Sequence, residues 1–214
     1  MVTKTPKNPN NYLLSIYRSF WSNRTDTWGK DHPDWFRPHG RDGYRVFGSG
    51  NIQSGYASEQ ALNDKLEGKT MTLDHYLSPQ FASGVPLHFY DKYLCPQNKN
   101  PRGENGDRDN FDKFCEYMNC LRVVVRVTKE ENKELSKLTD TDSGDFPIIH
   151  IPTDKKYDHL GIKLYKFDTT KQLRDNVIEE ILDTQLPEIA SEVLHFPADL
   201  IEYEKDFLTM EKTW

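Results

Sequence analysis

The chain has 214 residues, enough for one substantial domain or two small ones with a real hydrophobic core. With 36% apolar, 29% charged and 12% aromatic residues it is a polar globular protein, and the aromatic content excludes a disordered chain. No apolar run approaches the roughly 20 residues of a membrane span, and the net charge of −6 counts at first against a nucleic-acid partner.

The distribution of that charge softens the objection. From Glu179 to Trp214 there are ten acidic and two basic residues, a local −8, which leaves +2 for residues 1–178. Binding needs only a local basic surface. Cys95, Cys115 and Cys120 include no Cys-x-x-Cys pair, so neither a disulfide framework nor a zinc ribbon is expected. The start of the chain carries lysines with no apolar stretch behind them, unlike a secretory leader. A cytoplasmic protein with reduced thiols is expected.

In chain order, residues 1–9 read as a loose arm. Leu13, Leu14, Tyr17, Phe20 and Trp21 repeat at helical spacing, so a helix is expected from Asn10 or Asn11 to about Trp21. Ser22 to Gly55 reads as loop with a short hairpin around Gly43–Phe47. There Arg37, His39, Arg41 and Arg45 lie among Trp28, Trp35, Phe36 and Tyr44. Interleaved Arg and aromatics contact phosphates and stack on bases, or build an aromatic mini-core with solvated arginines.

Ser58 is placed to cap a second helix that Gly68 ends. A strand follows from Lys69 to about His75, and Pro79 closes it. Residues 96–109, PQNKNPRGENGDRD, carry no aliphatic or aromatic side chain and read as an exposed loop, with Lys99, Arg102 and Arg108 as its possible nucleic-acid contacts. Asp109 is placed to cap a helix bearing Phe111, Phe114, Cys115 and Met118.

A second strand is expected over Leu121–Val127, where four of the last five residues are valine. It turns at once into a helix, Lys129–Leu138, because Thr128 followed three residues later by Glu131 is a capping box. Asp140–Asp145 has the alternating acids of a calcium loop, but the twelfth position is Ile151 instead of Glu, which rejects it. Phe146–Ile151 and Ile162–Phe167 are further strands. The acidic C-terminal third reads as helices: a stripe of Leu173, Val177, Ile178, Ile181 and Leu182, then helices begun at Pro187 and Pro197.

Two of these stretches carry chemistry together. LDHYLSP ends a strand in Asp74-His75, and VTKEENKEL turns a strand into a helix that bears Asn132 in its first turns. Imidazole takes a proton near neutral pH. A carboxylate and a side-chain amide supply hard oxygen donors to a divalent cation. Successive strand residues face opposite ways, so the strand must end or twist at this pair for both to serve one site.

The paired motifs resemble the HNH (His-Me finger, ββα-metal) endonucleases over roughly residues 70–138. The resemblance implies an α+β fold: a ββα-metal finger core with a long insertion between its two strands, flanked by N-terminal and C-terminal helices. Three regions follow: an N-terminal helix and Arg/aromatic loop over 1–57, the core over 58–151 with its insertion at 84–120, and an acidic helical region over 152–214. It implies that His75 is the general base, and that Asp74 and Asn132 hold one Mg²⁺ or Mn²⁺. Asn110 or Asn119 would brace the loop that carries the histidine.

The activity implied is hydrolysis of phosphodiester bonds in double-stranded DNA, in a phage, restriction or homing setting. The alternatives are a non-catalytic binding or scaffold protein on a degenerate finger, and a nuclease directed at RNA. No membrane partner is expected. The acidic C-terminal helices would offer a surface to a second copy or to another protein.

Overall fold

A computed structural model describes residues 13–14, 16–18, 20, 50–94, 107–140 and 148–208. In chain order after a helical segment within residues 13–20 come β1 (Ile52–Ser58), α1 (Glu59–Leu66) and β2 (Thr72–His75). The single-turn helices α2 (Pro79–Ala82), α3 (Val85–His88) and α4 (Tyr90–Tyr93) follow, then α5 (Asp107–Cys120), β3 (Val123–Val127) and α6 (Lys129–Ser136). The remainder is β4 (Thr139–Asp140), β5 (Ile148–Ile149), α7 (Lys156–His159), β6 (Leu164–Lys166), α8 (Asp175–Thr184), α9 (Ala190–Val193) and α10 (Ala198–Glu204). The fold is α+β, with a mixed four-stranded sheet in the order β2-β3-β1-β6.

The described residues gather into two compact units. Those of 1–51 and 77–122 form the first, and those of 52–76, 123–142 and 147–208 form the second. An aromatic core holds the first unit: Tyr17 meets Phe111 and Phe114 edge-on at 5.2 Å, and Phe20 meets Phe114 at 5.7 Å. Tyr117 donates its hydroxyl to the Ala82 carbonyl at 2.8 Å, because a buried phenol needs a partner.

The second unit is built on the sheet. β3 runs parallel to β1 and antiparallel to β2, while β6 runs antiparallel to β1. Ala57, Tyr165 and Phe167 join Leu62 of α1 and Ile178 and Ile181 of α8 in a buried cluster, with Leu66, Leu173, Val177 and Leu182 around it. Val177, Ile178, Ile181 and Leu182 of the stripe read from the C-terminal third therefore lie on the face that α8 buries, and Leu173 packs on the same cluster from just before the helix.

Strand β1 corrects the sequence reading, which left Ser22–Gly55 as loop. Ile-Gln-Ser-Gly-Tyr-Ala-Ser has neither alternation nor a β-branched run, yet it fills an interior position of the sheet. Gly55 explains the disguise. Its φ of +84° falls where the pairing with β3 shifts register between Gln53 and Ala57, and its carbonyl accepts from Phe167 N–H at 2.8 Å. A glycine that reads as a turn is here a bulge.

Other differences are smaller. Residues 79–93 form three single helical turns, the strand expected over 146–151 is Ile148–Ile149, and the helix after Pro187 is only Ala190–Val193. The hairpin expected around Gly43–Phe47 lies outside the described residues. No helix among the described residues is long and apolar enough to cross a membrane.

Candidate functional site

Strand β2 pairs with β3 residue for residue: Thr72 with Val127, Leu73 with Arg126, Asp74 with Val125 and His75 with Val124. It ends at His75 and the chain bends only at Tyr76 and Leu77, so both members of the Asp-His pair lie inside the paired ladder instead of at a break in it. Within the ladder, alternation still directs Asp74 with Thr72 to one face and His75 with Leu73 to the other. The bend is pinned by Tyr76, whose hydroxyl donates to the His195 carbonyl at 2.7 Å and whose ring meets Phe196 at 5.3 Å.

The helix after β3 starts through the expected capping box. Glu131 N–H donates to Thr128 Oγ1 at 3.0 Å, and Thr128 N–H donates to Glu131 Oε2 at 2.7 Å. The same carboxylate oxygen accepts from the Ser58 hydroxyl at 2.6 Å, while Ser58 Oγ caps α1 by accepting from Ala61 N–H at 3.1 Å. Glu131 thus ties two helix starts together and is committed to structure. Such caps contribute about 1 kcal/mol each. Asn132 follows it in α6, half-buried, and its side chain makes no hydrogen bond among the described residues.

Asp74 is met by partners that the sequence reading did not find. Lys156 Nζ donates to Asp74 Oδ2 at 2.7 Å and to the His75 carbonyl at 2.9 Å. Tyr157 donates its hydroxyl to the same Oδ2 at 2.5 Å. The Asp74 and Lys156 side chains are only 13% and 10% exposed, so this is a buried ion pair, not a solvated one. Burial, reinforced by the Asp74 charge, pushes the Tyr157 phenol well above its ordinary range, so Tyr157 stays a donor. Asp74 Oδ1 takes no hydrogen bond among the described residues.

Behind Lys156 lies a second buried acid. Glu204 accepts from the Thr153 N–H at 3.2 Å and from the Thr153 hydroxyl, and burial pushes its carboxyl up to about 7. His75 moves the other way: burial lowers its pKa, the Asp74 charge partly offsets this, and the Lys156 charge lowers it further. The imidazole is therefore neutral at pH 7 and able to accept a proton.

Of the other expected residues, Asn110 and Asn119 belong to the first unit. Asn110 donates to the carbonyls of Asp91 and Leu94 at 3.4 and 3.3 Å, and Asn119 Oδ1 accepts from Arg122 Nη1 at 3.2 Å. The segment at His75 is held by Tyr76, through the His195 carbonyl, and by Lys156, through the His75 carbonyl. Arg37, His39, Arg41, Arg45, Lys99 and Arg102 lie outside the described residues, and Arg108 is described only as backbone in the first turn of α5.

Among the described residues no group of three or more His, Cys, Asp or Glu side chains is arranged to hold a metal ion. One carboxylate oxygen and one amide oxygen fit an ion such as Mg²⁺, which takes one or two protein oxygens and fills its shell with water and phosphate. Asp74 Oδ1 and the Asn132 side chain, neither of which takes a hydrogen bond among the described residues, are oxygens of this kind. Comparison with protein-family models, with curated proteins and with solved structures finds no match to this chain.

Proposed function

We propose that the chain is a metal-dependent endonuclease of the HNH type that hydrolyses phosphodiester bonds, with double-stranded DNA as its substrate. The observation that carries the reading is the place of His75 at the end of β2, antiparallel to a strand that leads straight into the Asn132-bearing helix, where burial favours the neutral imidazole. Helix α6 packs back against β2, which supports a role for Asn132 beside Asp74.

His75 takes a proton from water as the water oxygen forms its bond to phosphorus. The ester P–O bond breaks, and the departing oxygen is protonated from solvent. Asp74 and Asn132 would hold Mg²⁺ or Mn²⁺, which when bound stabilises the charge on the phosphate and the departing oxygen. Lys156 and Tyr157 fix the Asp74 carboxylate by one oxygen and leave the other for this purpose. The bend at Tyr76 keeps His75 at the margin of the sheet. On this reading Arg37, His39, Arg41 and Arg45, with Lys99, Arg102 and Arg108, would supply the phosphate contacts that an acidic protein needs.

The test is incubation of supercoiled plasmid with purified protein in Mg²⁺, Mn²⁺ or EDTA. Cleavage should require the metal and should fall at least about a hundredfold in Asp74→Asn and Asn132→Ala. Full activity in both variants would reject the ligand assignment.

A second reading is favoured by the saturation of Asp74 Oδ2. If the Asp74–Lys156–Tyr157 cluster is purely architectural, the chain is a binding or scaffold protein that presents its acidic C-terminal helices to a partner. Absence of cleavage of DNA and RNA under all metal conditions selects this reading.

A further inference from the structure

We infer that Lys156 is an internal counter-cation that keeps Asp74 from holding a divalent ion until a phosphodiester brings further negative charge to the site. The inference rests on the proposed assignment of Asp74 and Asn132 as oxygen donors.

The geometry leaves the ammonium no easy retreat. Lys156 is 8% exposed, bridges Asp74 Oδ2 and the His75 carbonyl, and lies 4.9 Å over the ring of Tyr157. The Asp74 charge is therefore already balanced in the free protein. Glu204, held by Thr153, also interacts with Lys156, and Glu131 is engaged by Thr128 and Ser58.

A divalent cation at Oδ1 would share one carboxylate with the ammonium at Oδ2. Two like charges on a single carboxylate, in surroundings with little water, repel far more strongly than at a surface. A phosphate between them reverses the balance, because its oxygens attract both cations. Metal and nucleic acid should then bind with positive coupling, each raising affinity for the other by the same factor.

The experiment measures Mn²⁺ affinity of the full chain from the spin-resonance signal of free Mn²⁺, without nucleic acid. Lys156→Met and Lys156→Gln should bind Mn²⁺ more than about tenfold tighter than the parent, and Lys156→Arg, which keeps the charge, should match the parent. Lys156→Gln retains a donor toward Asp74 and the His75 carbonyl, so it serves if the Met variant fails to fold. Asp74→Asn added to Lys156→Gln should remove the gain.

Equal or weaker affinity in a folded neutral variant overturns the counter-cation role alone, provided that the parent binds Mn²⁺ and Asp74→Asn abolishes it. If neither the parent nor Lys156→Gln binds Mn²⁺ at millimolar metal, the donor assignment of Asp74 and Asn132 falls, and this inference with it.

Discussion

Lys156 Nζ and Asp74 Oδ2 lie 2.7 Å apart across 82 residues of sequence, in side chains that are 10% and 13% exposed. The pair joins the end of β2 to the start of α7, and Tyr157 completes it from the next position. A buried charge pair of this kind gives little net stability but makes either partner costly to remove alone.

Asp74→Ala should therefore destabilise the second unit by about 3–5 kcal/mol, since it leaves a buried ammonium without a counter-charge. The double variant Asp74→Ala/Lys156→Met should be more stable than Asp74→Ala alone. Urea unfolding of the four proteins measures the coupling. Strictly additive losses would show that the two charges do not act on one another.

The His75 imidazole should titrate below the ordinary histidine value of 6.5, because burial disfavours its charged form. The Lys156 charge contributes in the same direction, so Lys156→Gln should move the midpoint upward. Proton NMR of the imidazole ring gives both values. The active, neutral form then persists to lower pH than that of an exposed histidine, and the acid limb of any cleavage profile should lie below pH 6.5.

Glu204 has the opposite consequence. Its folded carboxyl is raised from 4.5 to about 7, so between these values the native state binds the proton that the unfolded state has lost. Its contribution to stability is thus full below pH 4.5 and declines as pH rises to about 7. Glu204→Gln, which resembles the protonated acid, should match the parent near pH 4.5 and exceed it by on the order of 2–3 kcal/mol at pH 8. Denaturant titrations of both proteins at the two pH values check the sign. A parent that gains on the variant as pH rises would contradict it.

Glu131 is assigned to structure by its bonds to Thr128 and Ser58. Glu131→Ala should cost about 1–3 kcal/mol, from the lost cap and the Ser58 hydroxyl left without its acceptor. Glu131→Gln keeps an acceptor and should recover most of that loss. Thermal melts of the two variants separate these outcomes, and cleavage by Glu131→Gln should remain metal-dependent at nearly the parent rate.

Local signals in the sequence carried much of the second unit. The Thr128–Glu131 capping box, the Ser58 cap, the valine run and the stripe at Leu173–Leu182 each depend on neighbours a few residues apart, and all are present in the structure. Strand β1 was illegible because its place in the sheet is set by strands far along the chain, and its one conspicuous residue, Gly55, looks like a turn. Lys156 and Tyr157 were illegible for a similar reason. They stand in a polar stretch, Asp154-Lys155-Lys156-Tyr157-Asp158, and acquire meaning only from contacts 81 to 83 residues away. The Asp-His pair drew attention to its place in the chain, but nothing local announced that Asp74 would be held by an ammonium.

The most direct measurement is the rate at which His75→Ala cleaves supercoiled plasmid in Mg²⁺ or Mn²⁺, beside the parent protein and with folding checked by circular dichroism. The account predicts metal-dependent cleavage by the parent and a loss of at least about a hundredfold in the folded variant. Parent-like cleavage by His75→Ala would contradict it.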